Sequence, residues 1–173
     1  IDIATALFLK TGFAGTSISA VASACGITKA SLYHHFTGKE QLFSACVNHG
    51  YGAALEKVKE ISKTDADPEE KLIHAIDILY DVTVSSSVGK MSPLIAEVSH
   101  SFPEVARSFH EDYVFPQQRA VQDSMDEGGK QGVFKPYNPR LLSHLLMGPI
   151  VTLSLSRQMF GELEDLDEHF PVK

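Results

Sequence analysis

The stretch GITKASLYHHFTGKEQL, residues 26–42, decides the fold of this chain. A glycine that follows an apolar run is typical of a left-handed helix C-cap. Thr28 then predicts the N-cap of a very short helix, on which Leu32 and Phe36 share one apolar side. The opposite face carries tyrosine, histidine and lysine with nothing apolar to bury. So short a helix needs a scaffold to hold it, and we expect its polar face to be exposed.

Helices are also predicted on both sides of this stretch. The first runs from Asp2 to Thr11 and stops at Gly12. The second carries a buried stripe at helical spacing, formed by Ile18, Val21, Ala22 and Cys25. Thr37 and Glu40 form a capping box, T-x-x-E, that opens a long fourth helix ending near Lys63. Three helices with a glycine-containing turn between the second and third predict a helix-turn-helix unit.

The remainder of the chain is predicted to be helical as well. Helix start signals stand at Asp67, Ser92 and Asn138, and prolines at Pro116 and Pro149 predict kinks. Strand-like alternation and hairpin turns are missing from the sequence. The predicted fold class is therefore all-α.

Charge is distributed unevenly. The 173 residues carry a net charge of −7, but residues 1–48 carry +1 and the rest −8. An acidic surface argues against wrapping nucleic acid with the whole protein, yet it permits a small near-neutral head to bind DNA. No apolar run is long enough to predict a membrane span. Cys25 and Cys46 lack a C-x-x-C spacing and are predicted core residues of a protein from a reducing cytoplasm. Because the chain opens with Ile1, we expect residues to precede it.

Residues 6–42, ALFLKTGFAGTSISAVASACGITKASLYHHFTGKEQL, resemble the N-terminal domain of the TetR/AcrR-type bacterial transcriptional regulators. The positions that match the family pattern are Ala4, Leu7, Phe8, Gly12, Phe13, Thr16, Ser17, Ile18, Val21, Ala22, Gly26, Ile27, Thr28, Leu32, Tyr33, His35, Phe36, Lys39, Glu40 and Leu42. The pattern departs mildly at Cys25 and Ala30, where alanine and glycine are commoner. The resemblance implies a helix-turn-helix DNA-binding domain over residues 1–45 and a helical ligand-binding and dimerisation domain over 46–173.

The resemblance also implies a set of DNA-binding residues. The predicted phosphate contacts are Thr16, Ser17, Tyr33, His35 and Lys39, all of which carry hydrogen-bond donors. The predicted base-reading positions are Lys29, Ala30, Ser31 and His34, and Thr28 completes the set as the cap of their helix.

Aromatic and methionine side chains in the body predict an adaptable pocket for a small, largely apolar effector. The predicted ligand contacts are Tyr80, Met91, Phe102, Phe109, Tyr113 and Met147, and the same residues would suit an ordinary core equally well. Residues 141–156, LLSHLLMGPIVTLSLS, are apolar nearly all round and predict a homodimer interface. The acidic residues 162–173 predict either a reduced final helix or further residues beyond them. No cofactor, metal or membrane partner is predicted.

The predicted function is that of a cytoplasmic, ligand-responsive transcriptional regulator, a repressor, which binds palindromic double-stranded operator DNA as a homodimer and is released by its effector. The long fourth helix is expected to couple the two domains, with Gly50 and Gly52 as a bend or as a site of close packing. An alternative is a metal-binding helical-bundle enzyme built on the pair Glu97 and His100. Its remaining candidate ligands are His74, His110, Glu111 and His144. That di-iron pattern needs two Glu-x-x-His motifs, and one is present. In a third alternative the head binds a protein.

Overall fold

The computed structural model describes residues 1–172, apart from the side chain of Arg140, and confirms the all-α prediction, with no strand in that range. The helices are α1 (Asp2–Gly15), α2 (Ile18–Ala24), α3 (Lys29–His35), α4 (Lys39–Ser62), α5 (Pro68–Tyr80), α6 (Ser92–Ser101), α7 (Pro103–Phe109), α8 (Phe115–Lys130), α9 (Pro139–Met159) and α10 (Leu166–His169). Two π-helical turns (Asp81–Ser85 and His110–Val114) and a 3₁₀ turn (Ser87–Met91) join some of them. None of the described helices is both long and apolar enough to cross a membrane.

The described residues form two compact units. The first contains residues 1–52 and 91–113, and the second contains residues 53–90 and 114–172. The first unit extends beyond the predicted DNA-binding domain because α6 packs against α1 and α7 packs against α6. The division by function at residue 45 stays a prediction.

The core of the first unit is aromatic. Phe8, Phe13 and Phe43 meet with ring centroids 5.0 to 6.0 Å apart, and Phe102 lies 5.7 Å from Phe13. Aromatic pairs at these separations contribute beyond their buried area. Cys46 is buried as predicted, whereas Cys25 is only half-buried because it closes α2 at its C-cap. This core fixes the base on which α2 and α3 are mounted.

The turns of the helix-turn-helix unit are set by local chemistry. Gly12 interrupts α1 with φ 71°, which confirms the predicted stop, and a short turn continues to Gly15. Gly26 has φ 67°, and the N–H of Ile27 donates to the carbonyl of Ala22 at 3.0 Å. This is a Schellman motif, whose left-handed position favours glycine. The chain thereby leaves α2 and enters α3 through a tight turn.

Two predicted helix caps are wrong in their partners. The N–H of Thr37 donates to Oε1 of Gln41 at 2.6 Å, where the capping box predicted Glu40, and α4 begins two residues later at Lys39. Ser92 makes no capping bond, because its hydroxyl is paired with the phenol of Tyr51 at 2.9 Å. In both places a side chain from outside the predicted motif competes for the same polar group.

The second unit is held together by α5, α8 and α9. Asp67 caps α5 as predicted, accepting from the N–H of Glu69 at 2.9 Å. The ammonium of Lys71 is buried and forms an ion pair with Glu127 of α8 at 2.7 Å. On α9, the buried hydroxyl of Ser154 donates to the carbonyl of Thr83 at 2.7 Å. These bonds join α5 to α8, and α9 to the π-helical turn that follows α5.

The helical segment that contains Pro116, where a kink is predicted, is interrupted. It divides into α7 and α8 at the π-helical turn His110–Val114, directly before Pro116, which occupies the first turn of α8. Pro149 lies inside α9, where it cannot donate to the preceding turn. The acidic C-terminal segment forms the short helix α10, which returns to α9 through an ion pair of 2.8 Å between Arg157 and Asp167.

Candidate functional site

Helix α3 exposes every side chain except the one that anchors it. Leu32 is 6% exposed and holds α3 against α2, whose Ile18, Val21 and Ala22 are also buried. The exposed residues of α3 are Lys29, Ala30, Ser31, Tyr33, His34 and His35. These six belong to the predicted DNA-binding set, and the structure brings them together on one solvent-facing helix.

Two of the predicted DNA contacts double as helix caps. The Ser17 side chain accepts from the N–H of Ala20 at 3.0 Å, and the Thr28 side chain accepts from the N–H of Ser31 at 3.1 Å. A capping hydroxyl uses its oxygen as an acceptor and keeps its hydrogen as a donor. The Ser17 hydroxyl therefore remains able to donate to an anion while it caps α2.

Thr16 does not fit its predicted role as a side-chain phosphate contact. Its side chain is buried, at 2% exposure, and its hydroxyl donates to the carbonyl of Gly12 at 2.8 Å. It also lies 2.7 Å from the hydroxyl of Thr11. These bonds stabilise the turn that follows the Gly12 interruption, so Thr16 positions α2 rather than offering a free donor.

Lys39 is tied into the core of the first unit. Its ammonium donates to the carbonyl of Phe13 at 2.8 Å and lies 4.3 Å from the centroid of the Phe13 ring. An ammonium has three donors. The contact with Phe13 fixes the position of the charge at the start of α4 and leaves donors over for an external anion.

The polar face of α3 is also internally organised. The ammonium of Lys29 lies 5.8 Å from the centroid of the Tyr33 ring, within the range of a cation–π contact. Tyr33 is 47% exposed. Lysine and tyrosine thus share one edge of the helix, one turn apart.

The six predicted ligand contacts are divided between the two units. Met91, Phe102, Phe109 and Tyr113 belong to the first unit, and Tyr80 and Met147, both half-buried, belong to the second. Phe102 packs on Phe13. The set as a whole stays a prediction.

Phe109 and Tyr113 form an aromatic cluster with Tyr51 of α4. The ring centroids are 4.6 to 5.4 Å apart. Tyr51 is absent from the predicted ligand contacts, because nothing in the local sequence pattern links residue 51 to residues 109 and 113. Burial raises the pKa of both Tyr51 and Tyr113, so both phenols are neutral at physiological pH.

Each unit also contains an open cleft. A cleft of about 510 Å³ in the first unit is lined by Thr37, Gly38, Glu40, Gln41, Ser44, Phe102, Glu104 and Ser108. A cleft of about 320 Å³ in the second unit is lined by Phe115, Gln118, Arg119, Gln122, Pro139, Ser143 and His144. Phe102 is the one predicted ligand contact found in these walls, and both clefts are rich in polar side chains.

The alternative of a metal-binding enzyme is not supported. Across residues 1–172, no group of three or more histidine, cysteine, aspartate or glutamate side chains is placed to hold a metal ion. Glu97 and His100 are both exposed on α6. A metal site in a helical bundle instead needs ligands that converge on its interior from facing helices.

Comparisons with known proteins agree with the helix-turn-helix unit. Residues 1–46 match the sequence model described as bacterial regulatory proteins, tetR family. An uncharacterized HTH-type transcriptional regulator of Bacillus subtilis (strain 168), YerO, is 42% identical over 57 residues. That match spans 33% of this chain and 20% of YerO.

Two solved structures share the whole fold. The FadR transcriptional regulator of Bacillus subtilis, crystallised with stearoyl-CoA, superimposes with a TM-score of 0.80 at 20% identity, covering 95% of this chain and 88% of FadR. AibR, crystallised with isovaleryl coenzyme A and operator DNA, gives a TM-score of 0.67 at 23% identity, covering 99% of this chain and 96% of AibR. The helix-turn-helix head with its helical body is thus the fold of known transcriptional regulators. The resemblance to the TetR/AcrR-type regulators is confirmed for the head, because residues 1–46 match the sequence model of the tetR family of bacterial regulatory proteins.

Proposed function

We propose that this protein is a ligand-responsive transcriptional repressor of the cytoplasm, which binds palindromic operator DNA as a homodimer and releases it on binding a small, largely apolar effector. The observation that carries the proposal is the exposed polar face of α3, mounted on a buried α2 and lacking any packing partner in its own unit. A helix of this size fits the major groove of B-DNA.

Within this proposal, phosphate and base contacts fall to different residues. Ser17, Tyr33, His35 and Lys39 donate to phosphates and set the register of the head on the duplex. Lys29, Ala30, Ser31 and His34 face base edges, where an ammonium donates to guanine and a methyl group contacts thymine.

The test pairs two variants on the same edge of α3. Operator fragments are first selected from genomic DNA by the wild-type protein. Tyr33→Phe keeps the ring under the Lys29 ammonium and removes one hydroxyl donor, so it should weaken binding to every sequence alike. Lys29→Met should relax preference at one base position of each half-site. A Tyr33→Phe variant that changes sequence preference at unchanged total affinity would reverse the assigned roles.

A second copy of this chain is the partner we propose for α9. Positions at alternating spacings of four and three residues along α9, which is the heptad pattern of a helix–helix contact, are all exposed except for the half-buried Gly148. They are Leu141, Leu145, Gly148, Thr152, Leu155 and Met159. A two-fold dimer would place two α3 helices on half-sites about 34 Å apart, or a small multiple of that distance.

Sedimentation at micromolar concentration tests the dimer. Leu145, at 62% exposure, lies on the proposed interface, whereas Ile73, at 50%, is a similarly exposed apolar residue of α5 outside it. Leu145→Asp should yield monomers with weakened operator binding, and Ile73→Asp should leave the dimer intact. A wild-type monomer with full operator affinity would remove the homodimer from the proposal.

For the effector, fatty acyl thioesters are the first class to test. The predicted ligand set and the Tyr51 cluster supply apolar and aromatic surface, and two proteins of the same fold are known in complex with acyl-coenzyme A ligands. Release of a fluorescent operator should be titrated with acyl-coenzyme A esters of increasing chain length. An effector of another class would be indicated if no ester releases the operator while a screen of apolar compounds finds one that does.

We propose that α4 couples effector binding to the operator affinity of the helix-turn-helix head. This helix is 24 residues long, about 36 Å, and contributes to both compact units, with their boundary directly after Gly52. A Cβ atom built at Gly52 meets nothing within 4 Å, so the glycine is not required for close packing. Gly52→Ala should stiffen α4 and reduce the effector's influence on operator affinity. Because coupling is reciprocal, it should reduce the operator's influence on effector affinity by the same factor.

A further inference from the structure

The phenol oxygen of Tyr113 is a buried polar atom without a hydrogen bond. Its side chain is 5% exposed, and no described residue pairs with the hydroxyl. The neighbouring Tyr51 is equally enclosed, at 2% exposure, but its hydroxyl is bonded to Ser92 at 2.9 Å. The ring centroids of these two buried tyrosines are 4.6 Å apart, but only the hydroxyl of Tyr51 has a hydrogen-bond partner.

An unpaired buried hydroxyl is unfavourable, because it has lost its bonds to water without replacement. Phenylalanine would keep the ring contacts of Tyr113 with Tyr51 and Phe109 and avoid that cost. Most buried polar atoms in native proteins are paired, so each exception needs an explanation. A bond made only when a ligand is present is one such explanation.

The surroundings of Tyr113 point in the same direction. It lies in the π-helical turn His110–Val114, a type of insertion found frequently at functional sites. The other unsatisfied buried atom among the described residues is Oδ1 of Asn48, and the amide of Asn48 donates to Asp112, the residue before Tyr113, at 2.7 Å. Both unsatisfied atoms therefore belong to the contact between α4 and this turn.

We propose that the Tyr113 hydroxyl is the polar anchor of the effector site, donating a hydrogen bond to a carbonyl oxygen on an otherwise apolar ligand. The inference rests on the proposed effector control and names the ligand chemistry that this site selects. For a fatty acyl thioester the acceptor is the thioester carbonyl, with the acyl chain against the apolar and aromatic side chains.

The test compares two ligands and three proteins. The ligands are an acyl-coenzyme A and its S-alkyl analogue, a thioether that keeps the chain and the coenzyme but lacks the carbonyl oxygen. The proteins are the wild type, Tyr113→Phe and Tyr51→Phe. The wild type should bind the thioester about tenfold more tightly than the thioether, which corresponds to one desolvated hydrogen bond. Tyr113→Phe should bind both equally, and Tyr51→Phe should keep the wild-type preference.

Thermal unfolding without ligand gives a separate reading. Tyr113→Phe should melt at or above the wild-type temperature, because it removes an unpaired hydroxyl. Tyr51→Phe should melt lower, because it breaks the bond to Ser92. A clear loss of stability in Tyr113→Phe would show that its hydroxyl already has a partner and would overturn the inference.

The remaining outcomes separate the inference from the proposed function. If the wild type binds both ligands with equal affinity, the Tyr113 assignment fails while acyl-coenzyme A remains an effector. If the wild type discriminates and Tyr113→Phe discriminates equally, another residue holds the carbonyl. If the wild type binds neither ligand, the acyl thioester class falls together with the anchor proposed for it.

Discussion

Replacing Lys39 by methionine should separate its structural role from its role in DNA binding. Methionine keeps an apolar stem over the Phe13 ring and removes both the charge and the bond to the Phe13 carbonyl, whose length is 2.8 Å. Lys29→Met is the matched control for stability. Lys29 is exposed, and its ammonium lies over the Tyr33 ring of its own helix, α3. The two variants remove the same charge from the same head.

The expected loss of stability for Lys39→Met is the sum of two favourable contacts that are lost and one unfavourable interaction that is relieved. A hydrogen bond from a half-buried ammonium contributes about 1 kcal/mol, and a cation–π contact contributes about 0.5–1 kcal/mol. A positive charge at the first residue of α4 opposes the helix dipole by about 0.5 kcal/mol. Urea unfolding should therefore show a net loss of about 1 kcal/mol, whereas Lys29→Met should cost less than about 0.5 kcal/mol.

The second expected effect of Lys39→Met is a weaker dependence of operator affinity on salt concentration. A dimer carries two copies of Lys39, and losing two phosphate contacts should reduce the slope of log K against log salt by about 2. Between 50 and 200 mM salt, the wild type should then lose about tenfold more affinity than Lys39→Met, as measured by fluorescence anisotropy. An unchanged salt slope in Lys39→Met would refute its phosphate role, even if the protein were destabilised as expected.

Three further predictions concern stability and assembly. Gly148→Ala should stabilise α9 by up to about 1 kcal/mol, since a Cβ there meets nothing within 4 Å, but raise the dimer dissociation constant in sedimentation. Lys71→Met should change the free energy of unfolding by less than about 1 kcal/mol, whereas Glu127→Ala should cost about 3 kcal/mol because it leaves the buried ammonium of Lys71 unpaired. Burial and a hydrogen bond to Asp126 raise the pKa of Tyr137 to about 12. The stabilisation of the folded state by the neutral phenol of Tyr137 is therefore present below pH 10 and is lost as pH rises toward 12. Tyr137→Phe should reduce that loss in urea unfolding curves measured across this range.

Helix caps and glycine turns could be predicted from the sequence where residues close together along the chain supply both partners of a hydrogen bond. The positive-φ positions at Gly12 and Gly26 and the caps at Thr28 and Asp67 all follow from residues fewer than six positions apart. The exposed face of α3 was equally predictable, because a helix of seven residues with one apolar side leaves the other side to solvent.

The errors arose where a residue outside the recognised motif occupies a polar group, whether it lies nearby or far along the chain. Thr16 was predicted to contact phosphate, but the Gly12 interruption folds its hydroxyl onto the preceding turn. Ser92 was predicted to cap α6, but Tyr51 of α4 takes its hydroxyl. The sequence pattern around each residue is compatible with either bond, and only packing chooses between them.

The sequence by itself determined that this protein is all-α and begins with a helix-turn-helix head, because helix period, caps and glycine turns are properties of short segments. Only the tertiary structure decided which donors remain available. It placed the Lys39 ammonium on Phe13, buried Thr16, and left the Tyr113 hydroxyl without a partner beside Tyr51. The physical reason is that a hydrogen bond between residues 13 and 39, or its absence at residue 113, depends on distances set by the packed core and not by the spacing of residues along the chain.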